Sequence, residues 1–139
     1  MTMKINASFD ARMREVDAMY EEQLEAQVQR LADFTIDTTL GNNRKNKAAI
    51  DTGAYITSFS ITTGRGRPRG KGSRGKQRNN PNIMGLADEG RANLYGDIAK
   101  LDLANTTSLT LRNNSPHAEF VEYKHKYYIF ARIEREFNG

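Results

Sequence analysis

The residues with the clearest catalytic precedent in this sequence are Asp51, Thr52 and Gly53. An Asp-Thr-Gly triplet carries the catalytic carboxylate of aspartic proteases, in which two such carboxylates share one proton. The chain has one triplet, so a protease would need a homodimer with one triplet from each copy. Those enzymes also need an apolar strand before the triplet, whereas residues 42–49 are polar and basic. We therefore expect a structural turn, in which Gly53 bends the chain and an Asp51 or Thr52 oxygen caps backbone N–H groups.

Glu119 and Glu122 are a second candidate for chemistry. Their spacing of three puts both carboxylates on one side of a helical turn, where they could bind a metal or act as an acid–base pair. The nearby His117 and His125 are too far apart in the sequence for an i,i+4 zinc pair, and the chain has no cysteine. We expect no metal, no cofactor and no catalytic residue. A structural or interface role fits better, because a carboxylate of one subunit can pair with a basic residue of its neighbour.

A third candidate is the basic segment 64–78, which has no acidic residue. Its seven basic residues are Arg65, Arg67, Arg69, Lys71, Arg74, Lys76 and Arg78. The rest of the chain carries 14 basic and 17 acidic residues. The segment could bind phosphates by displacing counterions, contact an acidic protein surface, or form a solvated loop. Residues 62–82 contain no aromatic residue, so the base stacking typical of single-strand binding is not predicted.

Length and composition limit the class of protein. A chain of 139 residues predicts a single domain spanning residues 1–139. With 37% hydrophobic and 27% charged residues, the domain can bury only a modest core. We therefore expect a chain that is either lightly packed or stabilised by neighbouring subunits. No apolar run approaches the roughly 18 residues that span a bilayer, and the N-terminus lacks an apolar signal core. We expect a soluble protein made in the cytoplasm, without membrane contact.

The strongest secondary-structure signal is a long amphipathic helix over residues 8–34. Apolar residues recur there at steps of three and four, the helical period. They are Met13, Val16, Tyr20, Leu24, Val28, Leu31 and Phe34. Ser8 is the expected cap at its start. We expect this helix to pack against a small antiparallel sheet.

The remaining elements are shorter. Residues 55–63 and 106–112 alternate in polarity and predict two strands, the second with Leu109 and Leu111 facing inward. The glycine-rich stretch 64–82 between them predicts a long basic loop. Residues 86–100 predict a short, irregular helix, because Gly90 and Gly96 weaken its helical signal. Residues 117–123 predict a helical turn. The C-terminal stretch 126–137 suits either a strand or a helix, and the fold class is α+β.

Two stretches together resemble a known family. They are "IDTGAYITSFSI", residues 50–61, and "LRNNSPHAEFVEY", residues 111–123. Small neck and tail-completion proteins of tailed bacteriophages carry, after a long helix, a (V/I)DTG-x-L-x-x-S turn followed by strands. Near the C-terminus they carry N-x-x-(P/A)-Y-A-x-(F/Y)-V-E-(Y/F)-G. The matching residues here are Ile50, Asp51, Thr52, Gly53, Ser58, Asn113, Pro116, Ala118, Phe120, Val121, Glu122 and Tyr123.

The resemblance covers residues 8–137 and has three departures. One is a basic loop longer than a simple hairpin needs, and the other two lie in the C-terminal motif. His117 stands where the family has Tyr, and Lys124 stands where it has Gly. The order of the elements is unaffected by these differences. The departures put the geometry of the C-terminal region in question.

The resemblance implies a structural virion protein, made in the host bacterial cytoplasm. Six copies would form a ring that joins head to tail around the DNA channel, in contact with adjacent neck, connector and tail proteins. The motif positions and candidate interface residues are Asn113, Pro116, Glu119, Glu122 and Tyr123. The basic loop would contact a partner ring or, non-specifically, double-stranded DNA. The alternatives are a nucleic-acid-binding protein that uses residues 64–78, and a small hydrolase.

Overall fold

The computed structural model describes residues 2–6, 17–41, 54–63, 83–103, 108–115, 118 and 128–138. These described segments contain three helices and three strands, in the order β1 (Thr2–Asn6), α1 (Asp17–Gly41), β2 (Phe59–Thr63), α2 (Ile83–Ala99), β3 (Ser108–Asn113) and α3 (Ile129–Asn138). This is the predicted α+β class, with a long helix and a small antiparallel sheet.

The sheet has the strand order β1-β3-β2, and both pairings are antiparallel. The central strand β3 contributes Leu109 and Leu111 to the core, both fully buried, and these are the inward residues that the sequence predicted. The sequence analysis missed β1. Five residues at one end of the chain give little local signal, and β1 exists as a strand through its pairing with β3 near the other end.

Helix α1 confirms the predicted apolar stripe where the structure describes it. Leu24, Val28 and Leu31 are each 1% exposed, while the predicted start of the helix at residue 8 lies outside the described residues. The predicted end at residue 34 is wrong, because α1 continues to Gly41.

Two buried threonines explain the longer helix. Threonine lowers helix propensity, so the sequence around Thr35 and Thr39 gave no helical signal. Both hydroxyls donate hydrogen bonds to the carbonyls one turn earlier, Thr35 to Leu31 over 2.7 Å and Thr39 to Thr35 over 2.8 Å. These bonds satisfy the hydroxyls inside the core, and the fully buried Ile36 continues the apolar stripe between them.

Helix α2 runs over Ile83–Ala99, close to the predicted residues 86–100. It is regular through both Gly90 and Gly96, where the sequence predicted an irregular helix. Gly90 is needed for packing. A Cβ at this position would lie 2.4 Å from the carbonyl oxygen of Ile56 and 3.1 Å from Cδ1 of Ile36. The other glycine, Gly96, has open space, because a Cβ there would meet no atom within 4 Å.

Helix α3 resolves the ambiguous C-terminal stretch in favour of a helix. Ile129, Phe130 and Ile133 are buried in the core, and the Phe130 ring lies 5.9 Å from that of Phe59 on β2. Just before the helix, Tyr128 has a left-handed φ of 51°, and its carbonyl accepts the N–H of Arg132 over 3.0 Å. The backbone carbonyl of Tyr128 thus accepts the first hydrogen bond of α3, from a conformation that is uncommon for a non-glycine residue.

Polar and aromatic contacts join α1 to both other helices. Toward α2, Arg91 lies 3.3 Å from Asp33 and 2.7 Å from Asp37. Toward α3, Arg30 pairs with Glu136, and its guanidinium lies 4.8 Å from the centre of the Phe137 ring. These pairs are solvent-exposed, so each contributes at most about 1 kcal/mol, and the hydrophobic core supplies most of the stability.

The two glycines of α2 make a matched pair for mutation. We expect Gly90→Ala to lower the free energy of unfolding by about 2–3 kcal/mol, because the new methyl overlaps a backbone carbonyl. Gly96→Ala should raise it by about 0.5–1 kcal/mol, because alanine favours the helix and nothing obstructs it. Urea denaturation of both variants measures the difference. Equal stability of the two variants would contradict the close contact between α2 and residue 56.

Tyr95 should make the free energy of unfolding depend weakly on pH in the alkaline range. Its hydroxyl donates to Asp33 over 2.6 Å, and this hydrogen bond, with partial burial and the charge of Asp33, raises the pKa of Tyr95 above the ordinary 10.0. Folding therefore favours the protonated phenol. The resulting stabilisation is complete below about pH 10 and is lost as the pH rises through the folded-state pKa. The stability advantage of the wild type over Tyr95→Phe should shrink across that range, and a constant difference would contradict the prediction.

Candidate functional site

The two motif stretches lie side by side in the folded chain. Residues 54–57 of the first form a turn that leads into β2, and residues 111–115 of the second end β3. The N–H of Ser58 donates to the carbonyl of Tyr55 over 3.1 Å, and the N–H of Asn114 donates to the carbonyl of Ser58 over 3.1 Å. The sequence connected these stretches only through the family resemblance, and the structure joins them by direct hydrogen bonds.

Asn113 holds this junction together. Its side-chain Nδ2 donates to the carbonyl of Tyr55 over 2.8 Å, and its Oδ1 accepts the N–H of Ser115 over 3.0 Å. One carboxamide thus supplies the donor for the first stretch and the acceptor for its own turn, a combination that a carboxylate lacks. Asn113 is 1% exposed, so this motif residue lies inside the subunit.

Helix α2 holds the other side of the turn through three residues of one helical face. Gly90 allows close contact with Ile56, Nδ2 of Asn93 donates to the carbonyl of Thr57 over 3.3 Å, and Asp97 accepts the N–H of Ile61 over 3.0 Å. The sequence analysis missed all three roles. The available signal was the spacing of 90, 93 and 97, which places Asn93 and Asp97 beside the apolar stripe of α2.

Asp97 also covers the outer edge of the sheet. In the register of β2 with β3, the N–H of Ile61 points away from β3, and an exposed edge would leave it free to pair with another strand. The buried carboxylate of Asp97, 7% exposed, accepts that N–H instead. The bond makes β2 a closed edge of the sheet at this point.

Several polar side chains at this junction bind backbone atoms of the same chain. Ser58 adds a further example, because its hydroxyl donates to the carbonyl of Ala54. Beyond it, Ala118 is buried, and its N–H donates to the carbonyl of Ser115 over 3.3 Å. The geometry is that of a structural junction between a turn, a strand end and a helix.

Most of the predicted site residues lie outside the described residues. These are Asp51, Thr52, Gly53, Pro116, Glu119, Glu122, Tyr123 and the basic residues Arg65, Arg67, Arg69, Lys71, Arg74, Lys76 and Arg78. The triplet directly precedes the turn at 54–57, and its expected capping role stays a prediction. Asn113 is the predicted site residue whose contacts are described.

Within the described segments, no group of three or more His, Asp or Glu side chains could hold a metal ion. None of the described helices is both long enough and apolar enough to cross a membrane. No match was found among protein-family models, curated proteins or solved structures. The resemblance to phage neck proteins therefore depends on the motif residues themselves.

Asn113 gives a direct test of the junction. Asn113→Ala should lower the free energy of unfolding by about 2–3 kcal/mol, because it leaves the buried N–H of Ser115 without its acceptor and removes one of the hydrogen bonds to the carbonyl of Tyr55. The matched control is Gln23→Ala: Gln23 is an exposed carboxamide on α1, so we expect a change within about 0.5 kcal/mol. Urea denaturation compares the two. A cost for Asn113→Ala no greater than that of the control would mean that its carboxamide does not hold the turn.

Proposed function

We propose that this protein is a structural subunit of the neck of a tailed bacteriophage. Copies of the chain, six by the resemblance, would form a ring that joins head to tail and leaves a channel for DNA. The observation that carries the proposal is the junction around Asn113, where the two stretches that resemble the family meet. The contact supports a common structural purpose for two motifs that lie far apart in the sequence.

The chemistry of the junction favours a structural protein over a hydrolase. A hydrolase needs a base, a nucleophile or a metal directed at a substrate. Here the side chains of Ser58, Asn113 and Asp97 are directed at backbone groups of the chain itself. We expect no catalytic activity and no cofactor.

A ring would also bury apolar surface that the single subunit exposes. Met84 on α2 is 63% exposed and Tyr128 before α3 is 42% exposed. Interfaces between subunits are enriched in methionine and tyrosine. These two side chains are therefore the first candidates for contact between neighbours.

The basic loop would be multiplied by the symmetry of the ring. Six copies of its seven charges give about 42 positive charges around one axis. Such a density suits the DNA backbone or an acidic face of an adjoining ring, and neither contact reads the base sequence.

Electron microscopy of assembled particles tests the ring directly. We expect a closed ring of this chain at the head–tail junction, with six copies. A protein that is monomeric in intact particles, or absent from them, would overturn the proposal.

The basic loop is tested by a charge-matched pair of variants. Changing Arg65, Arg67 and Arg69 to Gln should leave folding unchanged and should lower the yield of tailed, DNA-filled particles. The control changes Lys100, Arg132 and Arg135, three exposed basic residues outside the loop, to Gln and should leave the yield near that of the parent. Equal yields for both variants would show that the loop charges are not needed for joining.

Salt dependence separates the runner-up function, nucleic-acid binding, from the neck proposal. A nucleic-acid-binding protein should bind double-stranded DNA as an isolated subunit, with an affinity that falls steeply with salt and is weakened in the loop variant. If that binding occurs and no ring forms, the nucleic-acid-binding function replaces the neck proposal.

A further inference from the structure

The basic segment 64–78 belongs to a connection between two elements that run in the same direction. Gly90, at the middle of α2, lies against Ile56. Asp97, near the end of α2, accepts the N–H of Ile61 on β2 over 3.0 Å. Later residues of the helix thus contact later residues of the strand and its turn. The connection must therefore return from the end of β2 to the start of α2.

The connection is much longer than the gap that it closes. Ile83, the first residue of α2, precedes Asp97 by 14 positions, which corresponds to about 21 Å of helix. The 19 residues between Thr63 and Ile83 join the two elements, and an extended chain of that length reaches about 65 Å. The connection therefore has enough length to contact a ligand away from the body of the subunit.

The first half of the connection alternates strictly between basic and small residues. Residues 65–71 read RGRPRGK, so every odd position is basic and every even position is glycine or proline. Successive side chains of an extended chain lie on opposite sides. When this stretch is extended, four cationic side chains share one side, and the other side carries only the ring of Pro68. Proline also disfavours a helix at its own position and at the residue before it.

A thin chain with one cationic side matches the minor groove of double-stranded DNA. That groove is only about 6 Å wide, whereas the major groove, about 12 Å wide, admits a helix. Glycine at alternate positions allows the backbone to approach a ligand closely. The negative potential of the minor groove attracts arginine and lysine, and it is strongest where tracts of A·T pairs narrow the groove.

The hydrogen-bonding groups in the groove favour A·T pairs. Their minor-groove edges carry only acceptors, and a G·C pair adds the N2 amino group of guanine, which is a donor. Arginine and lysine side chains have donors and no acceptor, so they pair well with an A·T edge and poorly with the amino group. Because A·T and T·A pairs look alike in this groove, the contact selects groove shape and composition and does not read a base sequence.

We propose that residues 65–71 bind the minor groove of A·T-rich double-stranded DNA, with Arg65, Arg67 and Arg69 directed into the groove. This inference narrows the DNA contact of the basic loop to one groove and one class of base pair. It concerns the single chain and holds with or without a ring.

Three duplexes of equal length test the groove and the base pair together. Their central segments consist of A·T, G·C or inosine·C pairs. Inosine lacks the N2 amino group of guanine, so an inosine·C pair keeps the major-groove groups of G·C and offers only acceptors in the minor groove. The full chain should bind the A·T and inosine·C duplexes about tenfold more tightly than the G·C duplex at equal salt, measured by fluorescence anisotropy.

A matched pair of valine variants tests the shape of the stretch without changing its charge. Gly66→Val with Gly70→Val adds branched side chains on the side that otherwise carries only Pro68. It should abolish the preference for A·T, while weak, salt-sensitive binding to all three duplexes remains. Gly72→Val with Gly75→Val lies outside residues 65–71 and should keep the preference. Thermal unfolding establishes that each variant is folded before its binding is compared.

Four results would overturn the inference. Equal affinity for the three duplexes would reduce the contact to phosphates. Binding of the inosine·C duplex at the level of the G·C duplex would place the contact in the major groove. An absence of binding to any duplex would make an acidic protein surface the partner of the segment. An A·T preference that survives in the Gly66→Val, Gly70→Val variant would show that the narrow shape of the stretch is not used.

The neck proposal and this inference fail separately, because the ring is judged by electron microscopy of particles. A ring without any A·T preference leaves the neck proposal standing and refutes the minor-groove contact. An A·T preference without a ring supports the minor-groove contact and favours nucleic-acid binding as the function.

Discussion

The carboxamide of Asn113 is the interaction on which the rest of this structure depends. It joins the carbonyl of Tyr55 to the turn that ends β3, and it does so where water cannot replace either partner. Because both groups are buried, the loss of this one side chain would leave the N–H of Ser115 unpaired and would remove one of the hydrogen bonds to the carbonyl of Tyr55. The turn at 54–57, the end of the β2–β3 pairing and the contact of α2 with Ile56 all lie within a few residues of this bond.

Helix α2 holds the same turn in place from its opposite side. Gly90 brings the helix against Ile56, and Asn93 and Asp97 bind the backbone before and within β2. A turn with this many backbone partners cannot shift without breaking several of them. The hydrophobic core then supplies the bulk of the stability, while the exposed ion pairs between the helices contribute little.

The two faces of the sheet differ in the side chains that they carry. The apolar face belongs to the core and stabilises the single chain. The opposite face carries Ser60, Thr62 and Thr110, whose side chains are also buried.

The sequence alone predicted the features that depend on local pattern. The apolar stripe of α1 through Leu31, the strand β3 with Leu109 inward, and the α+β class follow from periodicity, because burial of one face imposes the period of the element. Tertiary contacts decided what periodicity does not encode. Strand β1 needs its partner β3, α3 becomes a helix because Ile129, Phe130 and Ile133 all reach the core, and α1 extends through Thr35 because its hydroxyl is satisfied one turn earlier. The structural functions of Gly90 and Asn113 were also decided by tertiary contacts. Their neighbours, Ile56 and Tyr55, come from distant parts of the chain, and a close approach or a shared hydrogen bond exists only after the chain has folded.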